Sequence, residues 1–225
     1  MQKEIQSSIE IFCSYSHKDK PLRLKFEPIV TNLKRQNQIQ LWNDNELAAG
    51  SDWAGEIDQH LNSADIIVLL VSSDFLASDY CYEKEMRRAM ERESKKEAVV
   101  VPVIVRPCDW HDAPFGKLQA LPTGGKAVTT WKNRDEAWTS ISLALKETIR
   151  AVYIRKNEQL MKADAEEARS IYQAIMKDAQ TNRMERIKVM SELQAKIFSI
   201  TQDIQNRPRT VDSAFNNMDQ YIKGD

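Results

Sequence analysis

The sequence predicts an α/β fold, an open parallel sheet flanked by helices, followed by an α-helical C-terminal extension. Three observations carry this. Short apolar runs alternate with amphipathic stretches through about residue 150. "DIIVLLVS" is a continuous run rich in β-branched residues, as in a strand buried on both faces of a parallel sheet. Past Arg150, glycine is absent until Gly224 and proline appears only at Pro208.

In order, "IEIFCSYS" reads as a first strand. "PLRLKFEPIVTNLKRQ" reads as a helix, with Leu22, Phe26, Ile29 and Leu33 spaced by threes and fours. "IQLWND" is a second strand, "NELAAGSD" a loop, and "WAGEIDQHLNSA" a helix. The central strand "DIIVLLVS" leads into "SSDFLASDYCYEKEMRRAMER", where Ser78 and Asp79 look like the start of a helix bearing Glu83 and Glu85. "AVVVPVIVRP" is a further buried strand, and "DWHDAPFGKLQALPTGG" is mostly loop with a short helical piece. "KAVTTW" reads as the last strand and "RDEAWTSISLALKETIRAVYIR" as a helix. In such a sheet a ligand is expected outside the carboxyl ends of the strands.

The remainder, 151–225, reads as helix with two apolar stripes. Ala168, Ile171, Tyr172, Ile175, Met176 and Ala179 form one, and Met190, Leu193, Ile197, Ile200 and Ile204 follow a heptad spacing in the other. "AQTNRM" between them predicts the turn of a helical hairpin. The stripes either pack on each other or on the sheet domain, or they recruit an oligomer or another protein partner.

Composition narrows the function. The chain has 225 residues, 42% hydrophobic and 29% charged, enough for one core-forming domain and a smaller region. Its 32 basic and 33 acidic residues give no global charge for binding nucleic acid or an anionic membrane. No apolar run approaches the roughly 20 residues that span a bilayer. Three scattered cysteines, Cys13, Cys81 and Cys108, behind a polar "MQKEIQSS" start, predict reduced thiols and a cytoplasmic location. His17, His60 and His111 lack nearby ligands at metal spacing, so no metal is expected. There is no phosphate-loop or dinucleotide fingerprint, and the glycine pair at Gly124 and Gly125 reads as a turn. A Ser-His-Asp triad needs no sequence proximity, and no motif points to one.

Several segments, taken in order, resemble the Toll/interleukin-1 receptor (TIR) domain family in its bacterial form. "IEIFCSYSHKD" is similar to the family's first box. "WNDNELAAGSDWAGEIDQHLNSADIIVLLVSSDFLASDYC" resembles the second box and the central strand after it, and "VVPVIVRPCDW" resembles the following strand and loop. The resemblance covers about residues 5–150 and implies a flavodoxin-like parallel sheet, leaving the extension unassigned. Many bacterial, plant and axonal members cleave NAD+ at the nicotinamide-ribose bond, using a glutamate near the start of the helix after the central strand.

Periodicity alone does not choose between the two carboxylates. In an α-helix Glu83 and Glu85 stand about 160° apart, one on each flank of a face marked by Tyr82, Met86, Ala89 and Met90. Glu83 has Arg87 four residues on, which suits a surface ion pair. The family pattern, a glutamate followed by an apolar residue and then by Ala-apolar, matches "EMRRAM" and implies Glu85. The family's aromatic residue four positions earlier is Cys81 here, beside Tyr80.

Around Glu85 the resemblance implies a substrate site of Ser14, Tyr15 and His17 from the first strand's end, with Asp44, Gly50 and Trp53 from the second-box loop. Trp42 or Trp53 could stack on a base, although either also suits core packing. Ser14 also suits a strand cap, and Asp44 a turn. Cys81 and Cys108 read as buried or incidental. The resemblance thus implies an NAD+ hydrolase or ADP-ribosyl cyclase of prokaryotic defence, switched on by TIR self-association, with NAD+ as substrate and no cofactor. The other function it allows is a non-catalytic TIR-TIR interaction module.

Overall fold

Residues 8–35, 39–42, 53–178 and 183–206 are described in the structure, a computed structural model. Four apolar runs form a parallel sheet: β1 (Ile9–Tyr15), β2 (Ile39–Trp42), β3 (Ile66–Val71) and β4 (Val99–Ile104), in the order β2-β1-β3-β4. Between them run α1 (Lys20–Arg35), α2 (Trp53–Ser63), α3 (Ser73–Leu76) and α4 (Arg87–Ser94). This is the flavodoxin-like order. Its reversal between β1 and β3 opens a crevice at the carboxyl ends of those two strands.

Every residue of β3 is buried, as its unbroken apolar run requires. Ile66 pairs with Ile11 of β1 and Val99 of β4, and the register continues to Tyr15↔Leu70 and Val71↔Ile104. In α1 the buried side is Arg23, Phe26 and Val30, with Leu22 and Ile29 at its margins. The side chain of Leu33 lies outside the described residues.

The fifth predicted strand, "KAVTTW", is not a strand. Residues 123–125 and 128–130 form single 3-10 turns, and the edge of β4 is met at isolated points only. Leu121 donates its N–H to Pro102 O (2.8 Å) and accepts Ile104 N–H (2.7 Å), and Thr129 N–H reaches Val105 O (3.2 Å). Pro102 has no N–H to offer on that side, so a continuous ladder would leave a gap there. Thr130 turns back instead, its hydroxyl donating to Ala127 O (2.7 Å).

Arg92 of α4 locks two helices together. Its buried guanidinium donates Nη1–H to Leu61 O (2.7 Å) and Ala64 O (2.8 Å), carbonyls that α2 leaves unsatisfied at its end. Burial pulls the Arg92 pKa down, partly offset by Glu97.

The helix predicted over 134–155 does not stop there. It runs on through the first apolar stripe of the extension as one helix, α5 (Arg134–Asp178), which the absence of glycine and proline permits. A second helix, α6, spans Arg183–Asn206. The backbone divides into two units, Met1–Val152 and Tyr153–Asp225, with the division inside α5. The predicted turn "AQTNRM" falls largely outside the described residues, as do Ala179 and the side chain of Ile204. In the second unit Leu193 is buried, whereas Tyr172, Met176, Ile187, Met190, Ile197 and Phe198 are exposed. No described helix is long and apolar enough to cross a membrane.

Candidate active site

The crevice at the β1/β3 reversal is a cleft of about 300 Å³, open mouth included. Ser14, Tyr15 and His17 reach it from the end of β1, Trp42 from the end of β2, and Tyr80, Cys81 and Glu85 from the segment after β3. Phe12, Cys13 and Ile57 complete its lining. Of the nine predicted site positions, counting both carboxylates, five come together here: Ser14, Tyr15, His17, Trp42 and Glu85. Asp44 and Gly50 lie outside the described residues. Trp53 opens α2, with its side chain outside them too. Glu83 is elsewhere, half exposed on the surface, where its Oε2 pairs with Arg87 Nε at 2.9 Å.

The helix that separates the two glutamates is not α-helical at first. Asp79–Met86 forms a π-helix that passes into α4, so the buried set is Cys81, Glu85, Met86, Ala89 and Arg92. Tyr82 and Met90, expected on the buried face, are only half-buried, and Glu85 moves from its expected flank into that face. The wider π turn breaks the 3.6-residue period on which that expectation rested. Ser78 caps the turn, its Oγ accepting Cys81 N–H at 3.3 Å.

Two contacts tie this turn to the end of β1. Ser14 Oγ donates to Glu85 Oε2, both groups being buried, and Cys81 Sγ lies 3.4 Å from Tyr15 O as donor. Glu85 is 6% exposed and Ser14 1%. In so enclosed a wall the local dielectric is low, and an ionised carboxylate there acts more strongly on a nearby cation than it would in water.

Trp42 stacks on Phe12 (ring centroids 5.3 Å, 15°) and on His60 (4.4 Å, 18°), and is buried. Its ring surface is engaged inside the fold, which favours core packing over stacking on a ligand base. His60 is held by Glu10, Nδ1 to Oε1 at 2.8 Å. Tyr15 and His17 meet edge to face at 6.2 Å.

Cys81 is part of the cleft wall and Cys108 is half-buried, and the three cysteines form no disulfide. Burial raises the Cys108 pKa, against the pull of Arg106. Among the described residues, no group of three or more His, Cys, Asp or Glu side chains is arranged to hold a metal ion.

Beside the cleft lies a polar lattice that sequence reasoning missed. Asp19, 1% exposed, accepts Arg106 Nε–H at 2.7 Å and the Ser72 hydroxyl. Arg106 Nη2–H also reaches Ser72 Oγ (3.2 Å) and the Asp74 carboxylate, and Lys18 Nζ holds the other oxygen of Asp74 at 2.7 Å. The His17–Asp19 turn is thereby fastened to the ends of β3 and β4. The "SHKD" sequence signals a turn, but its partners lie 53 to 87 residues away in the chain.

Residues 11–137, more than half of the chain, match the family model described as "TIR domain". A protein of Sinorhizobium fredii, described as "Uncharacterized protein y4lF", is 53% identical over 137 residues, which is 61% of this chain and 42% of that protein. The chain thus spans less than half the length of that relative.

Proposed function

This chain belongs to the TIR-domain family, and on that premise we propose that it is an NAD+ glycohydrolase whose Glu85 promotes cleavage of the nicotinamide-ribose bond. The observation that carries the proposal is the buried Glu85 carboxylate, aimed into a cleft at the carboxyl end of a parallel sheet. Breaking the N-glycosidic bond develops positive charge on the ribose C1′ and its ring oxygen. A fixed carboxylate stabilises that charge, and nicotinamide leaves neutral, so no separate general acid is needed. Water then adds at C1′, giving ADP-ribose and a proton. If a nucleophile within the ADP-ribose adds instead, the product is cyclic.

Tyr15 and His17 stand at the cleft as substrate contacts, and the family resemblance adds Asp44, Gly50 and Trp53. The activity belongs to the assembled protein, in a prokaryotic defence response conducted in the cytoplasm. The exposed apolar residues of α6 support a role for the extension in that assembly, with a second copy of this chain as the occupant. Met190 and Ile197, both exposed and seven residues apart, keep a heptad spacing that two identical helices satisfy together.

Nicotinamide release at graded protein concentration tests both points. Over about a hundredfold dilution, specific activity is expected to fall at least about tenfold, because dissociation removes the active form by mass action. Met190→Glu combined with Ile197→Glu is expected to move that curve to higher concentration while far-UV circular dichroism stays unchanged. Release that is constant on dilution would place a complete site in one monomer. No release at any concentration would favour the interaction module.

A further inference from the structure

We infer that Ser14 is the positioning residue of Glu85, setting the direction of the carboxylate instead of touching the substrate. The inference rests on the glycohydrolase reading and adds to it a division of labour within the cleft wall.

A serine hydroxyl carries one proton, and that of Ser14 is given to Glu85 Oε2. With 1% of its surface exposed, Ser14 has almost no area to offer a ribose. It also sits on the most rigid support available. Ser14 is within β1, in register with Leu69 of β3, so its Oγ is fixed by the sheet. Glu85, by contrast, projects from a π-helix, whose hydrogen-bond geometry differs from that of the α-helix that follows. A glutamate side chain has three rotatable bonds, and a carboxylate at such a turn needs an external constraint to keep one orientation.

The bond from Ser14 supplies that constraint. With Oε2 held, the plane of the carboxylate is fixed and so is the direction of Oε1. Cys81 provides the second fastening of the same turn to β1, through Tyr15 O at 3.4 Å. The ends of β1 and of the π-helix are therefore joined at two successive β1 residues, one through a side chain and one through the backbone. A charged acceptor makes the Ser14 bond one of the stronger kind.

The test combines kinetics with an unfolding cycle, both on the full chain. Ser14→Ala is expected to lower kcat for nicotinamide release by at least about tenfold while KM changes less than about twofold, the pattern of a group that acts on the transition state through another residue. Ser14→Cys keeps the shape but donates more weakly, and its kcat should fall between the two. In urea unfolding, the midpoints of Ser14→Ala, Glu85→Met and the double variant should be non-additive, since the two side chains share one bond. A tenfold rise in KM with kcat retained, a fully active Ser14→Cys, or additive midpoints would overturn the assignment and leave the enzymatic reading standing. Absence of nicotinamide release from the concentrated wild-type protein would overturn that reading and the role of Ser14 with it.

Discussion

Glu85→Gln is expected to reduce nicotinamide release by at least about a hundredfold, the scale on which removing one preorganised electrostatic partner of a transition state is felt. The substitution is nearly isosteric. Ser14 Oγ can donate to the amide oxygen as it does to Oε2, and the buried wall trades a charge for a neutral group, so thermal stability should not fall. A loss of activity with an unchanged melting temperature would therefore report on charge alone. Glu83→Gln, which breaks a half-exposed ion pair with Arg87, should change activity and stability by less than about a factor of two. Full activity in Glu85→Gln together with its loss in Glu83→Gln would reverse the assignment.

The contrast between these two glutamates shows where the sequence was readable and where it was not. The Glu83–Arg87 pair follows from a four-residue spacing and is present at 2.9 Å. The strands β1 to β4 follow from apolar runs too short for helices. The sheet order does not follow from any local signal, because it depends on which strands pair across 30 to 55 residues. The resemblance implied it, and the structure has it. The burial of Glu85 could not be derived from periodicity, because Asp79–Met86 abandons the α-helical period on which such reading depends. Likewise "KAVTTW" has the β-branched and aromatic content of a strand, yet the edge it would join is interrupted by Pro102, whose effect is visible only once β4 is known to be an edge. The single α5 helix was half legible. Its composition reads as helix throughout, and the boundary at residue 150, set by the change in glycine and proline content and by the extent of the resemblance, falls inside the helix.

The Asp19 lattice was invisible for a further reason, which also makes it the most consequential target outside the cleft. Its members are a turn residue, a cap residue and an arginine after a strand, each ordinary alone. Ser72 illustrates this, since its Oγ caps α3 through Phe75 N–H at 3.1 Å while its proton goes to Asp19. Folding brings these groups together, and the energetic weight falls on Asp19, which is enclosed, with Arg106 as the charge that balances it.

Arg106→Ala is accordingly expected to destabilise the fold by about 2–4 kcal/mol. That is somewhat less than the cost of breaking a fully buried pair, because Arg106 itself keeps about a third of its surface exposed. The melting temperature should fall by roughly 5–15 °C. Arg106→Lys should recover only part of this, since an ammonium cannot address Asp19, Asp74 and Ser72 from one planar fork. The deficit should also depend on pH. Lys18 first and Arg106 second hold the Asp74 carboxyl below its ordinary value of 3.8, so its contribution is present above that pH and is lost as the pH falls through the lowered folded value. The gap between wild type and Arg106→Ala should thus be widest near neutrality and narrow as pH drops below about 4. A melting temperature unchanged at pH 7 would mean that Ser72 and solvent suffice for Asp19. A large loss confined to neutral pH would instead identify a charge lattice that holds the His17 turn, and with it one wall of the cleft, against the ends of β3 and β4.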